Sequence, residues 1–141
     1  MLEPTNQAGT RETVERFFAL LGTGDFDGIA DAFADEIDWY VPGSAEVPWT
    51  GPRSRREQIP EYFRLMGSAF VPSRAEMSID KILVDGSDAV VLARLGQTVA
   101  TNGRQFHMPV AFHFTVTDGL IGRMHLYEDT FLVGKSLGIL D

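Results

Sequence analysis

The chain of 141 residues contains no cysteine. Disulfides, thiolate nucleophiles and cysteine-ligated metals are excluded at once. Lysine is nearly absent too, with only Lys81 and Lys135. Against 20 Asp+Glu stand 12 Lys+Arg, which leaves a net charge of −8. Nucleic-acid binding usually needs a broad basic face to neutralise phosphates. Here only Arg53, Arg55 and Arg56 cluster, and Glu57 follows them. Nucleic acid is therefore not an expected partner, and the acidic surplus serves solubility. No apolar run approaches the roughly 20 residues of a membrane helix. The opening MLEPTNQAGT lacks the basic and apolar regions of a signal peptide. No membrane is expected as a partner, and the expected location is cytoplasmic. No repeat, linker or Gly-rich phosphate loop is found, and no cofactor is implied.

Apolar residues make up 44% and charged residues 23%, as expected of a folded globule. A chain of this size buries roughly 68% of its unfolded surface, enough for one core. The reading is a loose N-terminus over residues 1–9 and a single domain over 10–141. Thr10 to Leu21 has helical spacing in Val14, Phe17, Phe18 and Leu21, with Thr10 as cap and Gly22 and Gly24 at the end. Asp25 caps a second short helix presenting Phe26, Ile29, Ala30 and Phe33 on one face. Ile37 to Val41 is a short strand stopped by Pro42-Gly43, and GSAEVPWTGPRS is a loop. Ser54 caps a third helix running to about Phe70, with a start set later by Pro60.

Four long strands follow, at Ala75–Val84, Ala89–Ala100, Gln105–Val116 and Leu120–Phe131. Their turns are Asp85-Gly86, Asn102-Gly103 and Asp118-Gly119. Three helices, a short strand and a meander make an α+β pattern. A curved antiparallel sheet wrapped around the three helices would hold an apolar cavity in its mouth. Alternation puts Phe106, Met108, Val110, Phe112, Phe114 and Val116 on one face, which must be the core face. The Asp118-Gly119 hairpin pairs Phe112 and Phe114 with the Met124 side of the last strand. That register carries Glu128 to the inner face. His107, His113 and His125 fall on the outer face, with His113 and His125 opposite one another. Their spacing is no metal motif, and no metal is expected.

The segments GTGDFDGIADAFADEIDWYVPG, Trp49-Thr50-Gly51 and DGLIGRMHLYEDT are similar to those of the nuclear transport factor two superfamily. That superfamily includes ketosteroid isomerase and the SnoaL-like polyketide cyclases, and the resemblance covers most of the chain. It implies a cone-shaped α+β fold with a deep apolar cavity, and a homodimer. The isomerase's catalytic positions correspond to Phe17 for an oxyanion-donating tyrosine, Val41 for the general base and Phe112 for the second donor. All three are apolar, so that mechanism is not expected. The limonene epoxide hydrolase triad fares little better. Arg94 matches its arginine, but its two carboxylates fall at Gly96 and near Leu126.

Two residues stand out as catalytic candidates. Glu128 is a carboxyl facing an apolar cavity, where burial raises the pKa toward acid–base work. Arg94 interrupts the apolar run AVVLARL and could polarise a carbonyl. The candidate lining for a hydrophobic ligand comprises Trp39, Trp49, Tyr62, Phe63 and Phe112, with Met66, Met108 and Met124. Phe17 and Val41 join it through the isomerase correspondence. The leading expectation is a small cofactor-independent enzyme of SnoaL-like type. Its substrate would be a hydrophobic molecule of polyketide, terpenoid or steroid-like kind, and its chemistry cyclisation, isomerisation or dehydration by proton transfer. The alternative is a non-catalytic module of the same fold that binds a small ligand or dimerises.

Overall fold

A computed structural model describes residues 4–140 of the chain. The element order is α1 (Pro4–Thr23), α2 (Phe26–Asp31), β1 (Phe33–Val41), β2 (Gly51–Arg55), α3 (Ile59–Ala69), β3 (Glu76–Asp85), β4 (Asp88–Thr98), β5 (Gln105–Thr117), β6 (Leu120–Tyr127) and α4 (Thr130–Ser136). The six strands form one open sheet in the order β2-β1-β6-β5-β4-β3. The long helices α1 and α3 and the short helices α2 and α4 complete an α+β fold, as the order of sequence patterns requires.

Several boundaries differ from the sequence reading. Helix α1 begins at Pro4, so Thr10 lies within it and does not cap it. The Thr10 hydroxyl instead donates to the Gly86 carbonyl at 2.8 Å, which ties the helix to the β3–β4 turn. Phe33 opens β1 rather than closing α2. Ser54 lies in β2, a strand inside the stretch expected to be loop. Helix α3 starts with Pro60 in its first turn, where the missing N–H costs nothing. The last strand stops at Tyr127, and Phe131 belongs to α4, a helix the pattern did not disclose.

The sheet is not wholly antiparallel. β1 runs parallel to β6, pairing Trp39 with Met124 and Tyr40 with His125. No hairpin joins these two strands, so no tight turn forces them antiparallel. The remaining pairs are antiparallel. Asp118 and Gly119 both have positive φ, 52° and 77°, as a two-residue turn between twisted strands demands. The β5–β6 register follows, with Phe114 opposite Met124 and Phe112 opposite Leu126. β5 alternates strictly, burying Phe106, Met108, Val110, Phe112, Phe114 and Val116. Phe17 of α1 packs edge-on against Phe114 at 5.1 Å, and Phe18 against Phe112 at 5.2 Å. The core therefore lies between the helices and the inner face of β1, β4, β5 and β6.

Candidate acid–base site at the end of the sheet

At Tyr127 the last strand ends and the chain turns into α4. Asp129 caps that helix, its carboxylate accepting from the Leu132 N–H at 3.0 Å. Glu128 is thus fixed at a strand–helix junction. Its carboxyl borders a small cavity of ≈ 10 Å³ whose wall includes Pro42, Val47, Trp49, Thr50 and Val133. The loop over residues 42–50 is held shut from within. The Thr50 hydroxyl donates to the Ser44 and Val47 carbonyls, both at 2.9 Å. Gly43 has φ 135°, and a Cβ there would stand 2.9 Å from the Thr50 methyl, so only glycine fits.

Half-buried among these groups, the Glu128 carboxyl is pushed up to about 7, first by loss of solvation and then by the charge of Asp129. A carboxyl in that range gives and takes protons near neutral pH. Its charge also reaches Tyr62, whose hydroxyl is raised chiefly by burial and further by Glu128. Tyr62 therefore remains a neutral donor. The Arg53 guanidinium lies 5.3 Å from the Tyr62 ring centroid and donates to the Trp49 carbonyl at 2.9 Å. Desolvation lowers its pKa, and the electrostatic effects of Tyr62 and Glu61 oppose that shift. The Trp39 ring meets Tyr62 edge-on at 5.0 Å. Tyr62, Arg53 and Trp39 thus pack as one group, which the Glu128 charge influences through Tyr62.

A family model described as a SnoaL-like domain matches residues 14–124. The chain belongs to the SnoaL-like family. No curated protein sequence matches this SnoaL-like chain. Solved structures confirm the fold. An NTF2-like protein of unknown function from Burkholderia pseudomallei superposes with a TM-score of 0.84 at 18% identity, covering 92% of this chain and 97% of its own. TerC, co-crystallised with polyporic acid, gives 0.82 at 16% identity, with 92% and 98% covered. A protein named as a SnoaL-like polyketide cyclase from a Jannaschia species gives 0.78 at 22%, with 99% and 97% covered.

The SnoaL-like chain brings some candidate residues together and separates others. Trp49 shares the cavity with Glu128. Trp39, Tyr62 and Phe63 form one aromatic cluster, with Tyr62–Phe63 centroids 4.8 Å apart. Phe17, Val41, Met108, Phe112 and Met124 are buried in the core, and Met66 is partly buried against it. These side chains pack on their neighbours; the small cavity beside Glu128 is lined by other residues.

Arg94 is elsewhere. It lies on the outer face of β4, mostly exposed, and pairs with Asp80 at 3.3 Å. The expectation of Arg94 as a catalytic residue beside the cavity is thereby corrected: alternation along β4 turns Ala93 inward and Arg94 outward. The histidines do lie on that outer face, His113 opposite His125. Each holds a carboxylate: His107 with Glu76 at 3.0 Å, His113 with Asp88 at 3.0 Å and His125 with Asp38 at 2.7 Å. A polar depression of ≈ 310 Å³ beside Glu76, Gln105 and His107 also opens there. Arg53 and the Trp39 N–H were not singled out by sequence. The run Trp49-Thr50-Gly51 was the local signal that this loop is built around the site.

Proposed function

We propose that the chain is a small cofactor-independent acid–base enzyme acting on a hydrophobic small molecule of polyketide, terpenoid or steroid-like type. The observation that carries this reading is the Glu128 carboxyl, half-buried and held near pH 7 at the wall of an apolar interior. Such a group is part carboxylate and part acid at neutral pH, so it can remove a proton from carbon and return it. Isomerisation needs only that exchange; in cyclisation the carbanion attacks a carbonyl carbon and the proton goes to the oxygen formed, and in dehydration it goes to the departing hydroxyl, which leaves as water. The isomerase positions Phe17, Val41 and Phe112 hold no acid, which leaves Glu128 to serve alone. The space beside it has room for about one water. A ring-sized substrate therefore enters by displacing loop 42–50.

The filled interior also favours a second reading, a non-catalytic module of the same fold. One assay separates them. α-Tetralone, an apolar bicyclic ketone, exchanges its α-protons slowly in heavy water. The enzyme reading expects the wild-type protein to accelerate deuterium uptake and Glu128→Gln to lower the rate by roughly 10²–10⁴-fold. Uptake at the buffer rate would refute it.

The protein acts as a homodimer in this reading, joined through the outer face of the sheet. Leu83, Leu92 and Tyr127 are exposed there, at 49%, 40% and 57%. Exposed apolar area on a face that also bears paired charges is suited to a second copy.

A further inference from the structure

The Glu128 cavity is covered by two pieces of chain, loop 42–50 and α4, the latter through Thr130 and Val133. The loop is anchored in the core. Val47 and Trp49 are buried, and the Trp49 ring packs on Phe70 at 5.4 Å. α4 is only seven residues long and buries one large apolar side chain, Val133. Phe131 in the same helix is 61% exposed. Helices this short are not stable by themselves and depend on outside contacts. Two such contacts come from the turn between β4 and β5. Asn102 Nδ2 donates to the Ser136 carbonyl at 3.0 Å, and Arg104 Nη1 donates to the Lys135 carbonyl at 2.9 Å. These carbonyls lie at the C-terminal end of α4, where a helix leaves acceptors unpaired and favours positive charge. The donors are themselves fixed. Asn102 Oδ1 accepts from the Arg104 N–H at 2.9 Å, and the Arg104 carbonyl accepts from the Val99 N–H at 2.8 Å.

We propose that α4 is a lid over the Glu128 cavity and that Asn102 and Arg104 are its latch. This deepens the acid–base reading, because it says how a ligand reaches that site. The hinge is the short stretch between Tyr127, the last residue of β6, and Thr130, the first of α4. A swing there takes Thr130 and Val133 off the cavity and opens a path to Glu128. The two covers also touch, since a Cβ on Gly43 would stand 4.0 Å from the Thr130 methyl. Lifting α4 therefore frees one edge of loop 42–50, and displacement of the loop follows. The latch acts at the far end of the helix from the cavity wall at Thr130. The β4–β5 turn thus sets how often the site opens without touching what binds there. Local openings of this kind are the low-energy end of a protein's motions.

The chain has no cysteine, so one introduced at Val133 reports on that site alone. A water-soluble maleimide labels Val133→Cys at a rate set by how often α4 opens. Adding Asn102→Ala and Arg104→Ala removes two hydrogen bonds and should raise that rate about tenfold. Val110→Cys, buried on β5, should label slowly with or without the latch. Amide hydrogen exchange needs no cysteine and gives a second reading. The Val133 and Leu137 N–H groups donate to the Asp129 and Val133 carbonyls. Both should exchange about tenfold faster in Asn102→Ala/Arg104→Ala than in the wild type, while the Phe112 and Phe114 amides keep their rates. Labelling or exchange in α4 that ignores the latch, or that quickens equally in β5, would overturn the proposal. Faster opening of α4 in a protein that never promotes deuterium uptake by α-tetralone would remove the acid–base reading and leave the lid standing.

Discussion

Glu128 makes the fold sensitive to pH in an unusual direction. A carboxyl at its ordinary value of 4.5 in the unfolded chain and at about 7 in the fold binds its proton more tightly when folded. Between those values the native state holds more protons than the unfolded state, so stability falls as pH rises. Full ionisation above pH 7 withdraws up to about 3 kcal/mol relative to acid conditions. For a chain of this size that is a melting shift of roughly 10 °C. Asp38 and Asp88 act oppositely. Hydrogen bonds from His125 to Asp38, and from Thr115 and His113 to Asp88, hold both carboxyls below the usual range. Their support is present above the ordinary aspartate value and is lost as pH falls through their lowered values, well below the window in which Glu128 titrates. Glu128→Gln isolates the one effect from the others. Urea unfolding of both proteins from pH 4.5 to 8.5 should give nearly equal stabilities at the acid end. The variant should become progressively more stable from about pH 4.5 to pH 7, by up to about 3 kcal/mol, and the difference should level off above that. A difference that stays flat with pH, or that favours the wild type at alkaline pH, would refute the claim that Glu128 is charged at a cost inside the fold.

Two further perturbations probe the surroundings. Gly43→Ala forces a side chain into a φ of 135° and against the Thr50 methyl at 2.9 Å. Urea unfolding should show a loss of about 1–3 kcal/mol, and a loss under about 0.5 kcal/mol would mean that loop 42–50 is not held as described. Leu92→Glu places a charge at the middle of the exposed outer face; sedimentation should show a dimer for the wild type and a monomer for the variant, and a monomeric wild type would end the homodimer proposal.

What the sequence disclosed, and what it hid, follows from which forces act locally. β5 was legible because one face of it is buried and the other is not, so the period of two is written in its residues. The turn at Asp118-Gly119 was legible because few residue pairs accept two positive φ angles. β2 was not legible, since Gly-Pro-Arg-Ser-Arg carries no alternation at all. Its strand character comes from pairing with β1 at the sheet edge, where Pro52 is tolerated. Helix α4 was hidden by a hydrophobic run that also suits a strand, and the Asp129 cap was the overlooked sign. Glu128 illustrates the consequence. Strand alternation put it on the core face, but the strand ends before it. The carboxyl is desolvated because α4 and loop 42–50 close around the junction, contacts far apart in sequence.

Arg94 shows the same physics from the other side. Within AVVLARL the inward set is Ala89, Val91 and Ala93, and these are buried. The outward set is Val90, Leu92 and Arg94, of which two are apolar. A run apolar on both faces made Arg94 look like a charge inside a core, whereas it stands at an exposed position paired with Asp80. Strands that read as continuous hydrophobic runs belong to sheets covered on both faces. The helices of this chain cover one face of β4. The apolar residues on the other, Val90 and Leu92 with Leu83 beside them on β3, are therefore the physical argument for a second copy, and the exposed Arg94–Asp80 pair suits the polar rim of that contact rather than a catalytic centre.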